Sequence, residues 1–559
     1  MHSDEPLQKS QLTLRFVDLF ISYGFQLTLH AIFSIFQTEI RFLCTLIVIC
    51  GLQTVLSSRS SNIVIILLDD VGYGDLGCYW NPTGQRSNTP FLDYMASKGI
   101  RFTDFHSAAS TCTLSRGSLL TGRLCLRTGY PYRIPDGFVG GLPLNETTFG
   151  ETFKAAGYRT GMLGKWGMGI EPDYHPNSRG FDFYFGLPDG NNNGCGDEAG
   201  GTLLPNVCPI NWPNASWYDA SFCYLCEEER AENLAIPLFR NRIIVEQPVN
   251  QTPLSLRYAE MAAKFIKDGS KPYLLYVGLA HMHVPLFHMP EFEGKSASNS
   301  VYGDTLLEMD NTIKTIVEAI KESGEEENTL VWVVSDNGPD ESQCQYGGSP
   351  GPFVGAWQRN QGEGGGTSKD TVFEAGHRVP SIVYWPGTVK GGQVLDTIAS
   401  TMDIYPTIAA LANIQMPNNR VYDGIDISDL LLGKPFFGKG VLYHPVTYPF
   451  GGECDIEAVR IGDFKAIFAT GGQSDCQGNT GTLQQHSPTL IFNVKEDPME
   501  SNPLNPDSIL FRSVLQEVDQ AMADIEQSIQ MDKTPIAAGE YNPCSIPCCN
   551  PLNVVCRCY

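Results

Sequence analysis

The stretch Asn62-Ile63-Val64-Ile65-Ile66-Leu67-Leu68-Asp69-Asp70 decides the fold class. From Asn62 to Leu68 it is apolar and largely β-branched, with no alternation. A strand reads this way when both of its faces are buried, as in a parallel sheet. The run then stops on two carboxylates. Tyr273 to Leu279 has the same character and ends beside His281 and His283. Thr329 to Val334 ends at Asp336-Asn337, and Val379 to Trp385 is a fourth run of the kind.

Helical patterns lie between these runs. Thr89-Pro90 opens one that reaches Gly99. Thr148 with Glu151 makes a capping box for one that ends at Gly157. Leu306, Met309, Ile313, Ile316, Val317 and Ile320 mark one face of a long helix. The alternation predicts an α/β fold, a large mixed or parallel sheet sandwiched by helices, with the site at the carboxyl ends of its strands. After about residue 435 the pattern changes. Strand-like runs at 459–468 and 490–494 and an amphipathic helix over 509–529 predict a smaller α+β domain. The expected organisation is an N-terminal extension over 1–58, a main domain over 59–435, and a C-terminal domain over 436–559 that carries a Cys-rich tail. The Gly-rich patch Gly362 to Gly366 reads as a flexible loop.

The 559 residues carry a formal charge of −24, which argues against nucleic acid as a partner. An anionic substrate would have to be gathered by a local cluster of Lys and Arg. Cys544, Cys548, Cys549, Cys556 and Cys558 crowd the tail, and Cys195, Cys208, Cys223 and Cys226 form a second group. Without an accompanying His they read as disulfides of an oxidising compartment rather than zinc sites. Glycosylation sequons begin at Asn145, Asn214 and Asn250. Arg41, the apolar run Phe42 to Gly51, and then Ser57 and Ser58 follow the order of a secretory signal. A second apolar stretch, Phe16 to Phe36, precedes it. Either translation starts downstream of Met1, or the segment is an uncleaved anchor; the apolar core is shorter than the ~18 residues a span requires. The route expected is the secretory pathway, with a lysosomal or secreted destination.

Two adjacent carboxylates at a buried strand end repel, and a hard divalent cation would relieve them. A turn or helix-cap pair is the alternative. Asp336-Asn337-Gly338 ends a second strand in the same way, which favours the metal. Cys112 precedes a helix start, near Arg116 and Arg123, where exposed amides and guanidinium groups would stabilise an anion. A buried structural cysteine is the other reading.

Taken together, these stretches resemble the sulfatase family. Cys112-Thr113-Leu114-Ser115-Arg116, running on to Leu120-Thr121-Gly122-Arg123, is similar to its signature. Asp69-Asp70, Gly164-Lys165-Trp166, His281-Met282-His283-Val284-Pro285, Ser335-Asp336-Asn337-Gly338-Pro339 and Lys369 before Glu374 resemble its other blocks, in the family's order. The Cys-rich tail and Ala458-Val459-Arg460 bring the chain nearest to the arylsulfatase A group. The resemblance implies an alkaline-phosphatase-like fold and hydrolysis of sulfate esters of aryl, lipid or carbohydrate alcohols. It implies that Cys112 is oxidised to formylglycine by a formylglycine-generating enzyme, and it allows a homo-oligomer. It implies that Asp69, Asp70, Asp336 and Asn337 hold Ca²⁺ and that the modified Cys112 also touches the metal, its hydrated aldehyde supplying the attacking hydroxyl. Arg116 would hold the reactive group, Lys165 and Lys369 the sulfate oxygens, and His283 would protonate the leaving alcohol. The chain departs from the family's pattern where Leu114 replaces Pro or Ala, where Gly167 replaces a His, and at Asp189-Gly190, where a Tyr-Ser pair is expected. These departures support an alternative, a catalytically impaired protein that binds sulfated ligands.

Overall fold

The computed structural model describes residues 60–130, 138–190, 235–269, 272–446, 454–535, 540–541 and 546–548. The described residues from Ser61 onward belong to one compact unit. The predicted signal, the sequon at Asn214, the second cysteine group and most of the tail lie outside the described residues. No helix among the described residues is long and apolar enough to cross a membrane.

A ten-stranded sheet is built from β1 (Asn62–Leu68), β2 (Ile100–Phe102), β3 (Arg159–Gly164), β4 (Phe183–Gly186), β5 (Leu238–Arg240), β6 (Ile243–Glu246), β7 (Tyr273–Gly278), β8 (Thr329–Ser335), β9 (Ser381–Tyr384) and β10 (Gln393–Leu395). Its order is β10-β2-β9-β8-β1-β7-β3-β4-β5-β6. The middle strands β8, β1, β7, β3 and β4 are parallel, and every residue of β1, β7 and β8 is buried. At about 1.5–3 kcal/mol per large apolar side chain, burial of these runs is the main drive to form the sheet. The fourth apolar run, β9, is antiparallel to β8, so it departs from the parallel arrangement its composition suggests.

The register sets the site. Leu68 pairs with Ser335, Leu67 with Gly278, and Gly164 with Gly278. The carboxyl ends of β8, β1, β7 and β3 are therefore level, and Asp336, Asp69, His281 and Lys165 leave the sheet side by side. Gly164 has φ +90°, and an added Cβ would lie 1.9 Å from the Gly278 carbonyl oxygen, so the crossing of β3 and β7 requires glycine.

Helices α1 (Pro90–Lys98), α2 (Cys112–Thr121), α3 (Phe149–Ala155), α4 (Leu254–Lys267), α5 (Val301–Glu322) and α6 (Ile404–Leu411) accompany the sheet. The capping box of α3 forms as expected, and the six apolar residues of the α5 face are all buried. Thr89 does not cap α1 with its side chain. The first-turn amides of Phe91 and Leu92 donate instead to Asp310 of α5, at 2.9 and 2.8 Å.

A second sheet, wholly antiparallel, is formed by β11 (Val441–Val446), β12 (Asp455–Ile461), β13 (Phe464–Thr470) and β14 (Gln484–Asn493), in that order. The single run read over 459–468 is thus a hairpin. Helix α7 (Ile509–Met531) packs Phe511, Val514 and Val518 on Ala466 and Ile491. Disulfides Cys125–Cys454 and Cys344–Cys476 tie this part to the main sheet's segments. In the tail, Cys548 is disulfide-bonded. The Gly-rich loop is pinned rather than free: Gln358 Nε2 donates to the Gly362 and Gly364 carbonyls, at 2.8 and 2.7 Å.

Candidate active site

Thr111 is extended and α2 begins at Cys112, so the thiol stands at the helix's amino end. Its Sγ lies 3.3 Å from Asp69 Oδ1 and 3.7 Å from Asp70 Oδ1. Burial, with Asp336 and Asp69 nearby, pushes this thiol well above its ordinary range. The expected stabilised anion is therefore not what the surroundings favour. Arg123 also departs from its expected role. It sits one helix length away and is bound to Glu146 at 2.9 Å and Asp532 at 2.8 Å.

Arg116 is fully buried beneath the carboxylates. Its Nε and Nη2 reach Asp336 Oδ2 at 2.9 and 2.8 Å, and Nη2 lies 3.3 Å from Asp69. Lys165 Nζ is 2.7 Å from Asp69, and Lys369 Nζ is 2.7 Å from Asp70. Three carboxylates thus face three cations. Burial alone would raise Asp69, but Lys165 and Arg116 outweigh it and hold it well below the usual carboxylate range. Burial, aided by the charge of Asp69, raises Asp336 to about 7.

Asp70 takes the left-handed conformation, φ +59°, which turns its side chain toward Lys369 and Asn337. Asn337 Nδ2 donates to Asp70 Oδ1 at 2.7 Å, while its buried Oδ1 has no hydrogen-bond partner among the described residues. Ligand atoms of Asp69, Asp70, Cys112 and Asp336 all lie within 4.8 Å of one another. An oxygen-rich set with an unsatisfied amide oxygen fits a hard cation such as Ca²⁺ or Mg²⁺ better than zinc.

His283 lies 3.7 Å from Asp70 through Nε2, and its Nδ1 is 2.6 Å from the Val284 carbonyl oxygen. Nδ1 must donate there, which leaves Nε2 as the nitrogen that can take up a proton. Burial, then the charge of Lys369, pushes this imidazole below its ordinary value. The nine residues singled out in the sequence (Asp69, Asp70, Cys112, Arg116, Lys165, His283, Asp336, Asn337 and Lys369) are all at this one strand-end cluster. The sequence reading missed two supports. The Thr111 hydroxyl, just before Cys112, bonds Asp370, and the Asp370 amide donates to Ser110 at 2.9 Å. Tyr276, on β7, is buried near Arg116. Their signal was only adjacency to Lys369 and a place on a central strand.

The departures have different surroundings. Leu114 is 1% exposed, in the core. Gly167 has φ +70°, its amide donates to the Pro188 carbonyl at 3.0 Å, and a Cβ there would meet nothing within 4 Å. Gly167 and the Asp189-Gly190 turn are therefore neighbours.

Residues 61–414 match the Sulfatase family, and residues 442–558 match the C-terminal region of aryl-sulfatase. Arylsulfatase G of Rattus norvegicus is 45% identical over 502 residues, covering 89% of this chain and 92% of its own length. Arylsulfatase A of Homo sapiens is 34% identical over 522 residues, covering 90% and 96%. The crystal structure of PsFucS1 sulfatase from Pseudoalteromonas sp. is similar at TM-score 0.67 and 25% identity, covering 84% of this chain and 91% of that one. A phosphonate monoester hydrolase of Agrobacterium radiobacter shares the fold, at TM-score 0.52 and 15% identity, covering 84% and 96%.

Proposed function

The chain belongs to the sulfatase family, a family of sulfuric ester hydrolases, and from that premise we propose that its sulfate-ester hydrolysis is carried out by the strand-end cluster around residue 112. The observation that carries this reading is the convergence of Asp69, Asp70, Asp336 and Asn337 with Cys112 and three buried cations.

In this reading Asp69, Asp70, Asp336 and Asn337 hold a divalent cation, Ca²⁺, with residue 112 beside it. When bound, the metal and a formylglycine hydrate at residue 112 supply concentrated positive charge and an attacking hydroxyl. Everything else comes from the chain. Lys165 and Lys369 bind the sulfate oxygens and spread the charge of the transition state. Arg116, held by Asp336 and Asp69, keeps residue 112 in position. His283 carries the proton for the departing alcohol on Nε2, and an arriving sulfate would oppose the depression that Lys369 imposes on it. The thiol of Cys112, pushed up by burial, is a poor nucleophile in this site, so the unmodified residue would not serve as the attacking group.

The reading includes maturation by a formylglycine-generating enzyme, passage through the secretory pathway and a lysosomal or secreted destination. Residues 59–435 form the sulfatase domain in it, and 436–559 the smaller one. A second reading, a binder of sulfated ligands with little turnover, is favoured by Gly167 and Leu114. The test is the mass of the tryptic peptide Phe102–Arg116 from exported protein, with hydrolysis of an aryl sulfate measured with and without Ca²⁺. An aldehyde at residue 112 and Ca²⁺-dependent hydrolysis are expected. An unmodified thiol without hydrolysis leaves the binder.

A further inference from the structure

Away from the active site, three imidazoles stack where the C-terminal sheet meets the main domain. His444, on β11, lies between His377, at 4.2 Å between ring centroids and 9° between planes, and His106, at 5.2 Å and 27°. All three are fully buried. His106 Nε2 is 2.7 Å from Asp104 and His377 Nδ1 is 3.4 Å from the Ser107 carbonyl oxygen, so these nitrogens carry the protons of neutral rings. The other nitrogens of both, and both nitrogens of His444, have no hydrogen-bond partner among the described residues. A proton added to any ring would create a buried donor with nothing to receive it.

The charges facing the stack do not welcome a further cation. Arg460 reaches Asp104 at 3.2 Å and Glu374 at 3.4 Å, Arg378 reaches Glu374 at 3.1 Å, and Lys465 bridges Glu374 and Glu500 at 3.0 Å each. Asp104, Glu374 and Glu500 thus meet Arg378, Arg460 and Lys465. Asp104, His106 and Glu374 are close enough to hold a metal, but these three cations already supply its charge. Burial raises Glu500 to about 7, so on acidification the cluster loses an anion before any ring is protonated.

The stack lies under both segments that lead to the active site. The Ser107 amide donates to the His377 carbonyl at 2.7 Å, and the Asp370 amide to Ser110 at 2.9 Å. These bonds stitch the strand leading to Cys112 against the segment between Lys369 and His377. His444, Arg460 and Lys465 press on both from the second sheet.

We propose that this junction is an acid-sensitive latch: the C-terminal sheet seats only while His106, His377 and His444 are neutral, and acidification loosens it together with the segments that carry Cys112 and Lys369. Burial lowers all three imidazoles, His377 from 6.5 to about 3. A group lowered on docking supplies stability above its free value, here 6.5, and loses it as the pH falls below that. Each ring that undocking returns to water makes the docking constant fall by up to about 25-fold between pH 7 and pH 5. Glu500, raised by docking, acts in the opposite direction and offsets roughly one ring.

The test is amide hydrogen exchange of β11, β12 and β13 in the full-length protein at pH 7 and pH 5, corrected for intrinsic exchange. Wild type is expected to lose protection at pH 5. His444→Phe, which keeps a flat ring in the stack, should lose about 25-fold less. Equal losses in the two proteins, or a larger loss in the variant, overturn the latch. Should His444→Phe not fold at pH 7, His377→Phe takes its place with the same expectation. Should neither fold, the wild-type ratio decides, and undiminished protection at pH 5 overturns the proposal.

Discussion

Gly167→His restores an imidazole at the position where the family's pattern carries one. The backbone there sits at φ +70°, which a non-glycine residue occupies at a cost of roughly 1–2 kcal/mol. No side chain blocks the new Cβ, since nothing lies within 4 Å of it. Both backbone groups are already engaged, the amide with Pro188 and the carbonyl with the Tyr130 hydroxyl, and neither bond involves a side chain at residue 167. Against a total stability of about 5–15 kcal/mol the variant should fold. A positioned base contributes ~10²–10⁴-fold, or about 3–5 kcal/mol of barrier, so the catalytic gain exceeds the strain. The assay is rapid quench with alcohol and inorganic sulfate measured separately. The wild-type chain is expected to give a burst of alcohol and then slow turnover, because in the proposed mechanism His283 assists the first step and nothing at 167 assists release of sulfate. In the variant the steady rate should rise by ~10²–10⁴ and the burst should vanish. A folded variant that carries the aldehyde and turns over no faster would refute the reasoning.

Leu114→Pro should raise the fraction of Cys112 converted to aldehyde, read from the mass of peptide Phe102–Arg116. It should cost only about 1–2 kcal/mol, because the first helical bond runs from Ser115 to Thr111 and the Leu114 amide is not used in the helix. Conversion that stays level in a folded variant rules out Leu114 as the limit. Cys125→Ala opens a disulfide that closes 329 residues, and urea unfolding should show a loss of about 2–5 kcal/mol. A loss below about 1 kcal/mol would mean that this bridge constrains little. Arg116→Met should cost about 3–5 kcal/mol in the metal-free protein, since it strands two buried carboxylates, and Arg116→Lys should recover only part of that. Equal stabilities for the three proteins would mean that the ion network does not hold the cluster.

The middle of the main sheet was legible because burial on both faces writes itself as unbroken apolar runs. Their polar ends were legible only as a pair: one Asp-Asp after such a run is more often a turn or cap, but Asp336-Asn337 ends a second run in the same way. Strand direction left no such trace, so β9 read like its neighbours although it runs against β8. Helix patterns fared well where the signal is local, as at the Thr148 box. At Thr89 the helix begins and ends where the pattern put it, but the side chain makes no cap bond, and that role passes to Asp310, a residue 221 positions away. The Cys112 site needed residues spread from 69 to 369, and only the sheet register brings them level. Local spacing suggested a stabilised thiolate with two arginines, but α2 carries Arg123 to the far end of the helix and leaves burial, helped by Asp336 and Asp69, to raise the thiol. The imidazole stack was invisible for the same reason, since His106, His377 and His444 share no spacing and meet only when the second sheet docks.

The two departures act at separable stages, and their surroundings say why. Leu114 is enclosed in the core, so it cannot touch a substrate in the folded enzyme. In the proposed mechanism, any effect it has falls on the unfolded or partly folded chain that a formylglycine-generating enzyme would read. Gly167 is past the end of β3, two residues beyond Lys165, with open space where its side chain would be, so its effect must fall on the finished site. Effects on maturation and on chemistry multiply. The rate of Gly167→His with Leu114→Pro should therefore equal the gain in converted fraction times the gain per converted site, within a factor of about two, as additivity of independent changes requires. Measuring aldehyde content and rate in wild type, both single variants and the double variant closes the cycle. A strong departure from the product would mean that residue 167 also affects conversion. If the double variant carries the aldehyde, binds Ca²⁺ and still hydrolyses no sulfate ester, the lost histidine is not what separates this chain from an efficient hydrolase, and binding of sulfated ligands becomes the better account of the pocket.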